Sequence, residues 1–364
     1  MIRLIVSFLL SAAAVIAASA DIKWHGVDSL PLFGKCIDDT STSMRFQRLP
    51  DSLEHKVKRA DLFMLGKHSA GMAIRFSSDA PAIYARWKSV FGRSMNHMTP
   101  TGTRGLDLYV MQPDSTWTFV QSARPDMNNK TTETLIIGNM DPVMREYMLY
   151  LSLYDGTDSL SIGVDSSSQL LKPMSGLPCK ENPILYYGTS ITQGGCANRP
   201  GMAHTNILQR RLNREVVNLG FSGNGQLDIE IADIIAAVHE PALVILDFVP
   251  NVTYEQVDTL LIPFVETIKA AHPNVPVLII EDPDHPTKRF DRNVEQKCAS
   301  RRVLLKEKFD ELASRFSEMY YLPAEGLLGF DNEHTVDGLH FTDIGFIRYA
   351  TSLQPTINKI LNKK

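Results

Sequence analysis

Four cysteines in 364 residues, at positions 36, 179, 196 and 298, are too few and too widely spaced for a disulfide framework or a zinc-ligand pattern. Charge is nearly balanced. The 37 Lys and Arg against 41 Asp and Glu leave a formal −4, which argues against a nucleic-acid partner. No run of like charges forms a tail or a polybasic membrane anchor. Beyond residue 20 no stretch is apolar enough to span a bilayer, and neither an internal repeat nor a low-complexity segment is present. What remains is an ordinary globular composition, 44% hydrophobic and 21% charged, in a chain long enough for two domains. A chain of this size needs no disulfide to fold. A Cys179–Cys196 bridge around the segment at Ser190 is conceivable, but free thiols are the preferred reading.

The first twenty residues stand apart. Arg3 is followed by the apolar run Leu4 to Ala17, and Ala18-Ser19-Ala20 forms a small-residue cleavage site before Asp21. Residues 1–20 read as a signal peptide, the run being short for a retained membrane anchor, and the mature protein is expected in the periplasm or outside the cell.

Two rhythms follow. From Asp21 to about Pro173, segments such as Ala73–Phe76, Ile83–Trp87, Leu106–Val110, Trp117–Val120 and Met148–Tyr154 alternate apolar with polar residues between turns, and Ser159–Val164 offers one more strand. This predicts an antiparallel β-sandwich over 21–175. From Asn182 short apolar strands (Ile184–Tyr187, Val216–Leu219, Ala242–Phe248, Val275–Ile280, Met319–Leu322) alternate with helical patterns. That predicts an α/β domain over 182–364, a parallel sheet with helices on both faces. The boundary lies near Lys172 to Asn182, where prolines and a glycine cluster.

Four segments fall at the carboxyl edge of those strands, where open α/β sheets build their sites. Ser190, in Gly188-Thr189-Ser190, is a candidate nucleophile and needs an adjacent base. His340 is the candidate base, with Asp337 three residues earlier to orient it and stabilise its charged form. The Ser190 amide, the amide of Gly223 in Asn218–Gly223, and the side-chain amide of Asn251 in Val249-Pro250-Asn251 are candidate donors to an oxyanion. Each segment alone also has an ordinary reading, as a helix cap, a turn glycine or an Asx-turn.

Together the blocks resemble the SGNH (GDSL-like) hydrolase superfamily, with Ser190, Gly223, Asn251 and His340 in its four blocks and Asp337 three residues before the histidine. Two positions depart from the pattern. Thr189 stands where the family has Asp before the nucleophile, and Val249-Pro250-Asn251-Val252 replaces Gly-x-Asn-Asp. Lys67–Met72 and Met95–Gly102 resemble the β-sandwich that precedes some exported bacterial esterases of this type, a layout similar to carbohydrate esterase family 2. The resemblance implies a three-layer α/β/α hydrolase behind a jelly-roll-like sandwich, with no cofactor or metal. It implies a serine esterase acting on small acyl groups, acetyl expected, on a carbohydrate. The sandwich either helps to bind the glycan or only packs against the catalytic domain. A lipase or thioesterase on longer chains and a non-catalytic glycan-binding protein are the alternative readings. The oligomeric state has no signature in the sequence.

Other residues are set aside. Glu281-Asp282-Pro283-Asp284-His285 reads as a rim loop without a full metal-ligand set. His334 reads as a solvated loop residue, and Arg199 as a substrate contact or the anchor of its Arg-Pro-Gly turn. His68 and His97 raise the expectation that the sandwich reaches the active site, with the Asn96–Gly105 loop covering the cleft.

Overall fold

The computed structural model describes residues 21–37, 39–283 and 285–363. The expected signal peptide lies outside them. Among the described residues no helix is long and apolar enough to cross a membrane.

The front half carries strands β1 (Ile22–Gly26), β2 (Leu32–Phe33), β3 (Ala73–Ser78), β4 (Ile83–Ser89), β5 (Leu106–Met111), β6 (Trp117–Ala123), β7 (Thr131–Ile137), β8 (Arg145–Tyr150), β9 (Thr157–Asp165) and β10 (Leu170–Leu171), with helices α1 (Ala60–Gly66) and α2 (Pro100–Arg104). Two antiparallel sheets result. One has the order β1-β9-β4-β7; the other runs β10-β3-β8-β5-β6, with β2 also on β3. Their inner faces meet in a core that includes Phe76, Trp87, Leu108, Tyr147 and Ile162. This is the expected sandwich. The predicted strand at Met148–Tyr154 ends at Tyr150. Beyond it the chain turns so that the Asp155 carboxylate accepts the amides of Phe91, Arg93 and Gly156.

The rear half carries β11 (Cys179–Gly188), α3 (Ser190–Gln193), α4 (His204–Leu212), β12 (Arg214–Gly220), α5 (Ile229–Ala237), β13 (Leu243–Asp247), α6 (Tyr254–Ala271), β14 (Val277–Ile280), α7 (Arg292–Arg315), β15 (Met319–Leu322) and α8 (Asp343–Leu361). All five strands are parallel, in the order β12-β11-β13-β14-β15. Alternation along each strand feeds two cores. Leu185, Tyr187, Val244 and Leu246 face α5, α6 and α7, while Ile184, Tyr186, Leu243 and Ile245 face α4 and α8. Caps fix the helix starts: Thr253 forms a capping box with Gln256 for α6, Asp291 caps α7 and Thr342 caps α8. The chain order reverses between β11 and β13, and that reversal opens the crevice used by sites in such sheets.

One segment departs from the expected β reading. Between β2 and β3 the chain runs as turns and α1, and its Leu49, Leu53, Val57, Leu62, Phe63 and Leu65 lie in the core beneath β11, β12 and α5. Arg48 is buried there. Its guanidinium donates to the carbonyls of Leu65 and His68 and to those of Asn218 and Gly220 at the end of β12. The second sandwich sheet meets the hydrolase through its outer face, where Tyr150 bonds Asn206 and Gln209 of α4.

Candidate active site

At the end of β11 the strand turns straight into a helix. A Cβ on Gly188 would lie 2.0 Å from Thr192 Oγ1 and 2.6 Å from the Asp247 carbonyl oxygen, so only glycine permits the turn. Thr189 caps α3, its hydroxyl accepting the Ile191 amide. Ser190 therefore opens a single helical turn, Ser190–Gln193. That turn ends at Gly194 with φ of 108°. Ser190 is 4% exposed, and its carbonyl accepts the Tyr154 hydroxyl at 3.0 Å.

His340 Nε2 lies 2.9 Å from Ser190 Oγ, and His340 Nδ1 lies 2.7 Å from Asp337 Oδ2. The other Asp337 oxygen accepts the amides of Leu339 and His340, which holds the carboxylate against its partner. Burial pushes the Asp337 pKa up, but the hydrogen bonds from the His340 ring and from these amides outweigh it and hold the carboxyl below its ordinary value. The loop closes on itself: Val336 N donates to His340 O and Thr342 N to His334 O, just before α8. An ionised Asp337 on Nδ1 keeps the ring proton there and leaves Nε2 to accept from the serine.

The turn after β12 lies against the Ser190 turn. Phe221 N donates to Gly188 O, and Ser222 N donates to the side chain of Gln193 at 2.9 Å. Gly223 follows with φ of 68° and nothing within 4 Å of a would-be Cβ, so its glycine answers to backbone conformation rather than crowding. Asn251 lies in the short 3-10 turn after β13. Its Oδ1 accepts the Gly225 amide at 3.3 Å, which leaves Nδ2 as the arm that donates. The altered third block is braced from α7. Arg301 donates to the carbonyls of Val249 at 3.0 Å and Val252 at 2.9 Å, and to Asp282 at 2.6 Å. Asp282 also holds His285.

A family model described as GDSL-like lipase/acylhydrolase matches residues 181–358, and one described as the N-terminus of SGNH-hydrolase-type esterases matches residues 22–170. A solved structure from Bacteroides ovatus, assigned as a GDSL-like lipase, is 31% identical over 94% of this chain and 98% of its own, with a TM-score of 0.87. The chain belongs to the GDSL-like lipase/acylhydrolase family. It is a carboxylic ester hydrolase of the SGNH type. Two more distant structures share the fold. Salicylyl-acyltransferase SsfX3 from a tetracycline biosynthetic pathway is 16% identical, covering 93% of this chain and 94% of its own, with a TM-score of 0.70. A family two carbohydrate esterase from Cellvibrio japonicus is 14% identical, covering 94% and 99%, with a TM-score of 0.58. No curated protein sequence matches the chain.

The esterase draws several residues from its sandwich. The pattern Gly105-Leu106-Asp107-Leu108-Tyr109, read from the sequence only as a strand, grips the loop after α3. Asp107 accepts Arg199 and the Gly201 amide, and Tyr109 OH bonds Arg199 at 2.6 Å. Arg199 thus anchors its turn. Thr99 and Thr101 bond Asn198 O, and a Cβ on Gly102 would strike Ala197 O at 2.1 Å. His97 sits beside the catalytic edge, its ring centroid 5.7 Å from that of His340. His68 is buried and Gln193 Nε2 lies 3.0 Å from its Nδ1. Because Gln193 Oε1 already accepts Ser222 N, Nε2 must donate, so His68 is neutral with its proton on the other nitrogen. Burial, then Arg48 and Arg93, push the His68 pKa well down, consistent with that state.

His334 is buried, not solvated, and burial lowers its pKa. Phe341 packs edge-on against it. All four cysteines are free thiols. Burial, then the nearby Asp337, push Cys196 up to about 12, so it is a neutral thiol. The Asp282–His285 pair does gain a third ligand type, since Cys298 lies within reach of both. Arg48, Gln193 and Arg301 were not marked in the sequence, and Asp282 was read only as part of a rim loop. Only the Gly-x-Asp-Leu-Tyr pattern carried a readable signal for any of the bracing.

Proposed function

We propose that this esterase removes small acyl groups, acetyl foremost, from the hydroxyls of a carbohydrate, using Ser190, His340 and Asp337 as its triad. The observation that carries the reading is the unbroken line from Asp337 through His340 to Ser190 Oγ, at 2.7 and 2.9 Å. Ser190 attacks the ester carbonyl while His340 Nε2 takes its proton, and Asp337 stabilises the imidazolium. The amides of Ser190 and Gly223 and the Asn251 side chain donate to the oxyanion. His340 then protonates the departing sugar alkoxide, and water repeats the sequence to release the acid. No cofactor takes part in this scheme.

A carbohydrate substrate is supported by the shared fold rather than by a cavity at Ser190. The open cavity of about 540 Å³ beside Ser222, lined by Asp61, Met64, Leu65, Arg93, Ser94, Met95, Tyr154 and Asn224, includes none of Ser190, Asn251, Asp337 and His340 in its lining. The fold shared with a Clostridium thermocellum family two carbohydrate esterase in complex with cellohexaose supports the same class. The division into a sandwich at 21–175 and a catalytic unit at 182–364, and export after removal of residues 1–20, complete the proposal.

The test is acetate release from acetylated oligosaccharides by the chain beginning at Asp21, beside its Ser190→Ala variant. Release that vanishes in the variant supports the reading. Turnover confined to longer acyl esters would move the substrate to lipids or thioesters. Glycan binding with no turnover of any ester would sink the triad.

A further inference from the structure

Three ligand atoms converge at the mouth of the site from three separate parts of the chain. His97 comes from the sandwich loop before α2, Cys196 from the loop after α3, and His340 from the loop before α8. Their ligating atoms lie within 4.8 Å of one another. We propose that His97, Cys196 and His340 bind a borderline divalent cation, Zn²⁺ being the best match, and that the ion shuts the esterase by taking His340 away from Ser190. The inhibitory half of this proposal rests on the triad reading above.

The hydrogen bonding around the two histidines sets which atoms would bind. His97 Nδ1 lies 2.7 Å from Asn96 Oδ1, and His340 Nδ1 lies 2.7 Å from Asp337 Oδ2. Each Nδ1 proton is committed to an oxygen, which leaves each Nε2 with its lone pair. An imidazole whose other nitrogen donates to a carboxylate or carbonyl is the usual form of a metal-bound histidine. Two nitrogens and one sulfur are a donor set that favours Zn²⁺ over Mg²⁺ or Ca²⁺, which prefer oxygen. Zn–N and Zn–S bonds of about 2.0–2.3 Å put ligand atoms roughly 3.3–3.6 Å apart. The three atoms, within 4.8 Å of one another, must therefore close in on binding. A fourth position is left for water.

The cluster of Asp282, His285 and Cys298 is the weaker candidate. Asp282 there is already paired with Arg301 at 2.6 Å, so a metal would sit against a fixed guanidinium. At the His97, Cys196 and His340 cluster the ionic partner is instead a carboxylate, Asp337, 2.7 Å from His340 Nδ1. Binding is a simple exchange: the Cys196 thiol loses its proton to solvent as the Zn–S bond forms, and no electrons are transferred. The ion and the Ser190 hydroxyl proton compete for the same His340 Nε2, so occupied protein has no general base.

The experiment uses chelator-stripped protein from Asp21 onward and its Ser190→Ala variant, titrated with ZnCl₂ by calorimetry. One ion per chain is expected in both. Wild-type turnover of nitrophenyl acetate should fall at least about 10³-fold as the site fills and return with chelator, the size expected when the base is lost. Cys196→Ser and His97→Ala should lose the uptake, and each should turn over ester at the same rate with Zn²⁺ as without it. Co²⁺ in place of Zn²⁺ should give a thiolate-to-metal charge-transfer band that Cys196→Ser abolishes, while thermal melts show that the variant is folded. Mg²⁺ and Ca²⁺ should have no effect. No uptake by Ser190→Ala, or uptake untouched by Cys196→Ser, would overturn the site. Uptake with full activity retained would overturn the inhibition. Uptake by a protein that hydrolyses no ester would uphold the metal site and remove the triad reading instead.

Discussion

Replacing Arg301 by Met should disable the esterase from outside its reacting groups. The substitution keeps most of the aliphatic stem and removes the fork that ties Asp282 to the carbonyls of Val249 and Val252, which flank Asn251. Two costs follow. Asp282, 2% exposed, loses its guanidinium partner and keeps His285 and the Cys298 thiol. Breaking a buried pair in this way costs about 3–5 kcal/mol, and the lower end applies because the Arg301 side chain is 16% exposed. The second cost is kinetic. Complete loss of an oxyanion donor lowers kcat by about 10²–10³, which sets the ceiling. Asn251 keeps its tether to Gly225, so Arg301→Met should lower kcat by roughly 10- to 10²-fold with little change in KM, below that ceiling. The assay is a double-mutant cycle on a soluble acetate ester, run well below the melting temperature of the weakest variant. If Arg301 works through Asn251, then Arg301→Met in an Asn251→Ala background should cost less than about threefold. Equal losses in both backgrounds, or an unchanged kcat in the single variant, would refute the reasoning.

Asp337→Asn should leave the fold intact but lower kcat by about 10⁴, because the amide no longer enforces the His340 tautomer; steady-state kinetics beside a circular-dichroism melt checks both parts. Gly223→Ala should cost about 1–2 kcal/mol of stability from its left-handed backbone alone, since nothing lies within 4 Å of the new Cβ. Any turn that relaxes to relieve this strain moves the amide, so turnover should fall further than the melt suggests, and unchanged turnover would argue against Gly223 as a donor. Burial pushes the Asp247 and Glu215 carboxyls up to about 7. The folded chain then holds protons that the unfolded chain releases near pH 4, so their contribution to stability is full below about pH 4 and is lost as pH rises to about 7. Asp247→Asn should shrink the gap between melting temperatures at about pH 5 and about pH 8, and an equal gap would contradict the assignment.

The parallel sheet was the most legible part of the chain. Ala242–Phe248 and Val275–Ile280 are apolar on both faces because helices cover both, and that pattern has few other meanings. The Ser, Gly, Asn and His blocks were legible because each follows such a strand or precedes the last helix. What failed was non-local. β7 is Thr-rich with a largely exposed outer face, so its alternation is weak. Residues between β2 and β3 look like sandwich material, and only contact with β12 shows why Arg48 and Leu49 are buried. His334 reads as polar loop from its acidic neighbours, yet Phe341 and the start of α8 close over it. Arg301 sits mid-helix among other charged residues, and no spacing rule singles it out from Lys297 or Arg302.

Arg48 also dictates an order of events during synthesis. Its carbonyl partners at Asn218 and Gly220 lie 170 and 172 positions further along the chain. Until β12 has left the ribosome, Arg48 has only its local carbonyl partners at Leu65 and His68, and the side chains of Leu49, Leu62, Phe63 and Leu65 lack the strand that covers them. Each of those four is worth roughly 1.5–3 kcal/mol once covered. The emerging front half can form its two sheets but cannot finish, and a product cut at the proline-rich junction near residue 180 would release two sticky pieces rather than two working ones. On the export proposed above, a chain whose front half completes itself only after Gly220 has emerged is also one that stays threadable for longer.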